Sequence, residues 1–122
     1  MAKRINSRQK GCRGERMAAA AWVKEFGGHA ERGVQRSGSP DSPDIKTDMQ
    51  GIHIEVKNVE KGNPYNWIEQ SVRDAGDNCP LVMHKRNNQP WLLIMRLEDA
   101  KSFVAKAKAH QDAEVVDETL SN

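Results

Sequence analysis

Two short runs, "PLVMHK" (80–85) and "PWLLIMRL" (90–97), are nearly continuous in apolar residues. Such runs fit central strands of a sheet that is covered on both faces. "RNNQ" between them reads as a turn. A third segment, Ile52-His53-Ile54-Glu55-Val56-Lys57, alternates instead. As a strand it points Ile52, Ile54 and Val56 one way and His53, Glu55 and Lys57 the other. Helices must supply the cover. One is expected over about Arg13 to Phe26, where the Ala18–Ala21 run favours helix and Gly27-Gly28 stop it. "NPYNWIEQSVRDAG" is a second, capped by Asn63, with Pro64 in its first turn, Gly76 at its end and an apolar stripe of Tyr65, Ile68, Val72 and Ala75. "LEDAKSFVAKAKAH" is a third. "HAERGVQR" supplies a first strand, "SGSPDSPD" a loop, and "IKTDMQGIHIEVKN" two strands joined near Gln50-Gly51. The expected order is α-β-β-β-α-β-β followed by a C-terminal helix, an α/β fold with a mixed sheet flanked by helices.

The chain has 122 residues, enough for one compact domain with a small core. Residues 1–11 are expected to form a flexible basic arm, 12–110 the domain and 111–122 a disordered acidic tail. From Met1 to Arg16 there are six Lys/Arg and one Glu, and from Glu98 to Asn122 six Asp/Glu and three Lys. That asymmetry suits one surface that meets a polyanion and another that avoids it, and equally a solvated charged surface. No apolar run is long enough to cross a bilayer, and no apolar stretch follows the basic N-terminus as in a secretory signal, so the expected location is the cytoplasm. Cys12 and Cys79 lack ligand-like neighbours and are expected as free thiols.

Three carboxylates stand out. Asp44, between Pro43 and Ile45, opens the second strand, and Glu55 lies on the polar face of the third. Adjacent strands are about 5 Å apart, so the two acids can share one ion. Two carboxylates, a backbone carbonyl and waters are what Mg²⁺ prefers. Lys57, on the same face as Glu55, could hold an attacking water or offset charge on a phosphate. Glu15 heads a stripe continued by Ala19, Trp22 and Phe26, all within about 40° on an ideal helix. A metal ion or Lys57 could compensate it there; a first-turn acid at the wet rim of the core would look the same. Each acid alone has an ordinary explanation, in a turn or on a solvated strand. Their order along the chain is more specific. "SPDSPD" offers both Asp41 and Asp44, and Asp44 is preferred because it runs directly into the strand.

"PDI…IEVK" resembles the core of the PD-(D/E)XK nuclease superfamily. "GER" (14–16), "RSGS" (36–39) and "Y…Q" (65 and 70) make the chain similar to Holliday junction resolvases of the archaeal type, which have small phage-encoded relatives. The similarity spans roughly Gly11 to Leu97. It implies a restriction-endonuclease-like fold with Asp44, Glu55 and the Val56 carbonyl as metal ligands, Glu15 completing the site and Lys57 as the catalytic lysine. Ser37 and Ser39 would contact DNA near the cut, and Gln70 would orient a phosphate, although it sits about 140° from the Tyr65 stripe. It further implies Mg²⁺ as cofactor, with Mn²⁺ able to substitute, branched DNA (a four-way junction) as partner, and a homodimer that cuts symmetrically. Arg13, Arg16, Arg32 and Arg36 join Lys3, Arg4, Arg8 and Lys10 as candidate phosphate contacts. His53 is expected as a polar strand residue, and Trp22, Trp67 and Trp91 as core or interface residues. Two other readings stay open: another PD-(D/E)XK nuclease of nicking, repair or restriction type, and a non-catalytic DNA-binding module.

Overall fold

The structure, a computed structural model, describes residues 7–33 and 42–120, with side chains for 11–33 and 42–114. Its elements are α1 (Ser7–Phe26), β1 (Ala30–Arg32), β2 (Ile45–Thr47), β3 (Ile52–Lys57), α2 (Pro64–Ala75), β4 (Cys79–His84), β5 (Leu92–Ile94) and α3 (Leu97–Leu120). The five strands form one sheet in the order β1-β2-β3-β4-β5. β3 and β4 are parallel, with α2 as the crossover between them, and the other neighbours are antiparallel. This is the mixed, helix-flanked sheet of the restriction-endonuclease-like fold, in the expected order of elements.

Alternation divides the core between the two faces of the sheet. Ile45, Ile54, Cys79, Leu81 and Met83 pack with Ala18, Ala19 and Trp22 of α1 and Phe103 of α3. On that side the Trp22 and Phe26 rings meet at 4.3 Å, and Phe103 packs edge-on at 6.4 Å from Trp22 and 5.8 Å from Phe26. α2 packs on β3 and β4, burying Ile68, Ser71 and Ala75, and Ser71 Oγ donates to the Leu81 carbonyl at 3.1 Å. Asn63 caps α2 by accepting from Tyr65 N at 2.9 Å. Every residue of β4 is buried, as its continuous apolar run requires.

Several expectations are corrected. α1 begins at Ser7, earlier than the expected start near Arg13, because "SRQK" carries no helix breaker. α3 runs to Leu120, past the expected end at His110, because neither glycine nor proline interrupts 97–120. β5 is an edge strand of three residues with Leu92 53% exposed, so the run 90–97 does not form a central strand. Tyr65 is 82% exposed, and the inward positions of α2 are Ile68, Ser71 and Ala75. β1 spans only 30–32 of the expected strand, whose residues 34–36 lie outside the described region. Cys12 and Cys79 are free thiols. No helix among the described residues is long and apolar enough to cross a membrane.

Candidate active site

The polar face of β3 is dry. His53 is 2% exposed and Glu55 6%, which a half-buried surface strand would not give. His53 Nε2 lies 2.8 Å from Glu55 Oε1, holding that carboxylate in one orientation. Lys57, half-buried, follows on the same face two residues on.

Asp44 sits where the ladder between β2 and β3 opens. Its backbone N donates to the Ile54 carbonyl at 2.9 Å, and its Oδ2 accepts from Val56 N at 2.8 Å. It therefore grips the residues on either side of Glu55. Gly33 supports this placement. Its N donates to the Asp44 carbonyl at 2.8 Å, and a Cβ on Gly33 would fall on the Pro43 carbonyl oxygen. Only glycine lets β1 come this close to the segment carrying Asp44.

Glu15 reaches the cluster from α1. Gly14 is buried, and a Cβ there would stand 2.9 Å from Asn58 Cβ. The bare glycine in "GER" thus lets α1 settle onto the chain just after β3, and the next residue is the acid. Glu15 Oε2 accepts from Arg32 Nε at 2.7 Å, with side-chain exposures of 19% and 39%.

The electrostatics follow from this crowding. Burial pushes the Asp44 carboxyl up to about 7. The Val56 N–H opposes that shift, while Glu55, by charge and hydrogen bond, and Glu15, by charge, add to it. Arg32 is raised by its hydrogen bond to Glu15, and Glu15 and Asp44 contribute by charge. Glu15 on α1 thus acts by charge on the Asp44–Glu55 pair at the entrance of β2 and the middle of β3, although the three acids do not bring their ligand atoms within 4.8 Å of one another. Without a cation the Asp44 carboxyl keeps its proton well above the usual carboxylate range; a divalent ion would displace that proton.

The remaining expected residues divide. Val56 offers its N–H to Asp44. Arg13 and Arg16 are exposed on α1, and Arg32 is exposed on β1 beside the acids. Gln70 is exposed on α2; the inward side chain beside it is Ser71. Arg36, Ser37, Ser39 and the alternative aspartate Asp41 lie outside the described residues. Sequence reasoning undervalued His53. The alternation that put Glu55 on this face put His53 there too, and the missing signal was that α2 covers it.

A family model described as phage putative PDDEXK endonuclease matches residues 6–120, nearly the whole chain. No curated protein and no solved structure matches.

Proposed function

We propose, for a chain that belongs to the phage putative PDDEXK endonuclease family, that it is a metal-dependent Holliday junction resolvase cutting four-way DNA junctions symmetrically. The observation that carries the catalytic part of this reading is the grip of Asp44 on both neighbours of Glu55, with its carboxyl raised by burial and by Glu55 and Glu15. Asp44, Glu55, Glu15 and the Val56 carbonyl would hold Mg²⁺, or Mn²⁺ in its place. When bound, the ion would supply Lewis-acid polarisation of the scissile phosphate and of the attacking water. His53 keeps Glu55 aimed. Lys57, on the same face, places an ammonium beside the phosphate where charge develops. Arg32, held by Glu15 at the rim, can turn toward a phosphate oxygen, and Arg13 and Arg16 extend the basic track along α1. Junction preference and a homodimer rest on the likeness of "GER", "RSGS" and "Y…Q" to the resolvases; two sites related by a two-fold axis suit paired cuts.

A cleavage panel tests this, with a linear duplex, a flap and a four-way junction, each in Mg²⁺, Ca²⁺ and chelator. Paired nicks in the junction with Mg²⁺, binding alone with Ca²⁺, and no cutting after Glu55→Gln are expected. Equal cutting of linear duplex would move the chain to the nicking, repair or restriction type. Cutting in chelator would refute the metal mechanism, and no cutting under any condition would favour a non-catalytic DNA-binding module.

A further inference from the structure

A second group of ligating side chains lies at the other end of β2. Asp44 precedes this strand and Asp48 follows it, so the two aspartates are about 13 Å apart along an extended chain. Asp48 stands with His110 and Glu114 of α3, and their ligand atoms all lie within 4.8 Å of one another. The His110 side chain is only 7% exposed. Its Nε2 is buried without a hydrogen-bond partner and lies 3.5 Å from Glu114 Oε1. A buried imidazole nitrogen without a hydrogen bond is costly, and here it faces two carboxylates.

The surroundings are shaped for these groups. Gly27 and Gly28 adopt left-handed φ of 73° and 72° where α1 ends. A Cβ on Gly28 would stand 2.5 Å from Asp48 Oδ1, and one on Gly27 3.0 Å from Glu114 Oε2. Asp48 is fixed at its base, accepting from His29 N at 3.0 Å through Oδ1 and donating from its own N to the His29 carbonyl at 3.1 Å. His110 and Glu114 are four residues apart on one helix, a spacing that aligns two ligands on one face.

We infer that Asp48, His110 and Glu114 form a second metal site for a transition-metal dication such as Zn²⁺, separate from the acid cluster at Asp44. The donor set decides the class. One imidazole nitrogen with two carboxylates suits Zn²⁺, whereas Mg²⁺ favours oxygen alone. Ligands about 2.1 Å from a tetrahedral ion stand about 3.4 Å apart, and the His110–Glu114 pair already has that separation. Asp48 completes three protein ligands, with water in the fourth position. Such an ion ties the distal half of α3 to the turn after α1 and to the end of β2, a stabilising role that the nuclease chemistry does not require.

Titration calorimetry with Zn²⁺ on the full chain, without a histidine tag and carrying Asp44→Asn and Glu55→Gln to silence the other cluster, tests this. One Zn²⁺ per chain and a raised melting temperature are expected. Even outer-shell partners of a metal are worth about 10–100-fold in affinity, so His110→Ala added to that background should weaken binding by at least about 100-fold and abolish the thermal shift. Asp48→Asn keeps an oxygen acceptor for His29 N and should weaken binding at least about tenfold, which serves if His110→Ala does not fold. Co²⁺ should give the visible absorption of a tetrahedral site in the background protein and lose it in both variants. Three outcomes would overturn the inference: no binding in the background protein, diffuse binding at several weak sites, or binding unchanged by both substitutions.

Discussion

Asp44→Asn should make the metal-free protein more stable while destroying its activity. The Asp44 carboxyl is moved from 3.8 to about 7, first by burial and then by the neighbouring acids. That is about three pKa units at about 1.4 kcal/mol each, or about 4 kcal/mol between the two protonation states. The sign follows from proton binding. Between pH 3.8 and about 7 the folded chain holds a proton on Asp44 that the unfolded chain has released. Wild-type stability from this group therefore falls as pH rises through that window and levels off above it. Asparagine cannot ionise. Its Oδ1 still accepts from Val56 N, and its Nδ2–H can donate to Glu55. Partial exposure of the site reduces the gain to about 2–4 kcal/mol at pH 8, worth on the order of 10 °C in melting temperature for a domain of this size. The difference should vanish near pH 4. Urea and thermal melts of both proteins in chelator, from pH 4 to 8, measure it. A difference that does not change with pH, or an Asn variant less stable than wild type at pH 8, would refute the reasoning. In saturating Mg²⁺ the wild type should recover stability and the variant should not.

Two further outcomes follow from packing. Gly33→Ala drives a methyl into the Pro43 carbonyl, so it should cost about 1–3 kcal/mol and, by shifting Asp44, lower the cleavage rate by about 100-fold; wild-type cleavage with an altered Pro43 position would contradict this. Trp22→Ala removes a ring that is 1% exposed and stacked on Phe26, and should cost about 3–5 kcal/mol in urea melts, whereas a loss under about 1 kcal/mol would mean that the α1 face is not anchored there.

The parts of the site legible in the sequence were those set by local period. Alternation placed Glu55 and Lys57 on one face of β3, and the helical count from Glu15 through Ala19 and Trp22 aimed α1 at the sheet. The parts that were not legible depend on which element lies over which. Whether the His53 face is wet or dry is decided by α2, packed from residues further along the chain. The Glu15–Arg32 pair needs α1 to lie beside β1, which no spacing encodes. Tyr65 fits the α2 stripe by angle, yet it stands 82% exposed at the first turn, where burial depends on what packs over the helix end. The run 90–97 is apolar enough for a central strand, but with no strand paired beyond β5 among the described residues it stays at the edge. The continuation of α3 past residue 110 was hidden because the helix as a whole carries no sustained apolar stripe to follow. Asp48, His110 and Glu114 are ordinary surface types until the fold brings them together.

The parallel pairing of β3 with β4 also bears on the order of events during synthesis. Glu15, Asp44, Glu55 and Lys57 are all translated before the first residue of β4. Until Cys79–His84 follows through the α2 crossover, β3 has one bare flank and lacks the neighbour that holds it straight. A nascent chain thus carries the proposed acids and lysine before β3 has the neighbour that braces it, so the geometry proposed for the site is complete only after β4 has left the ribosome.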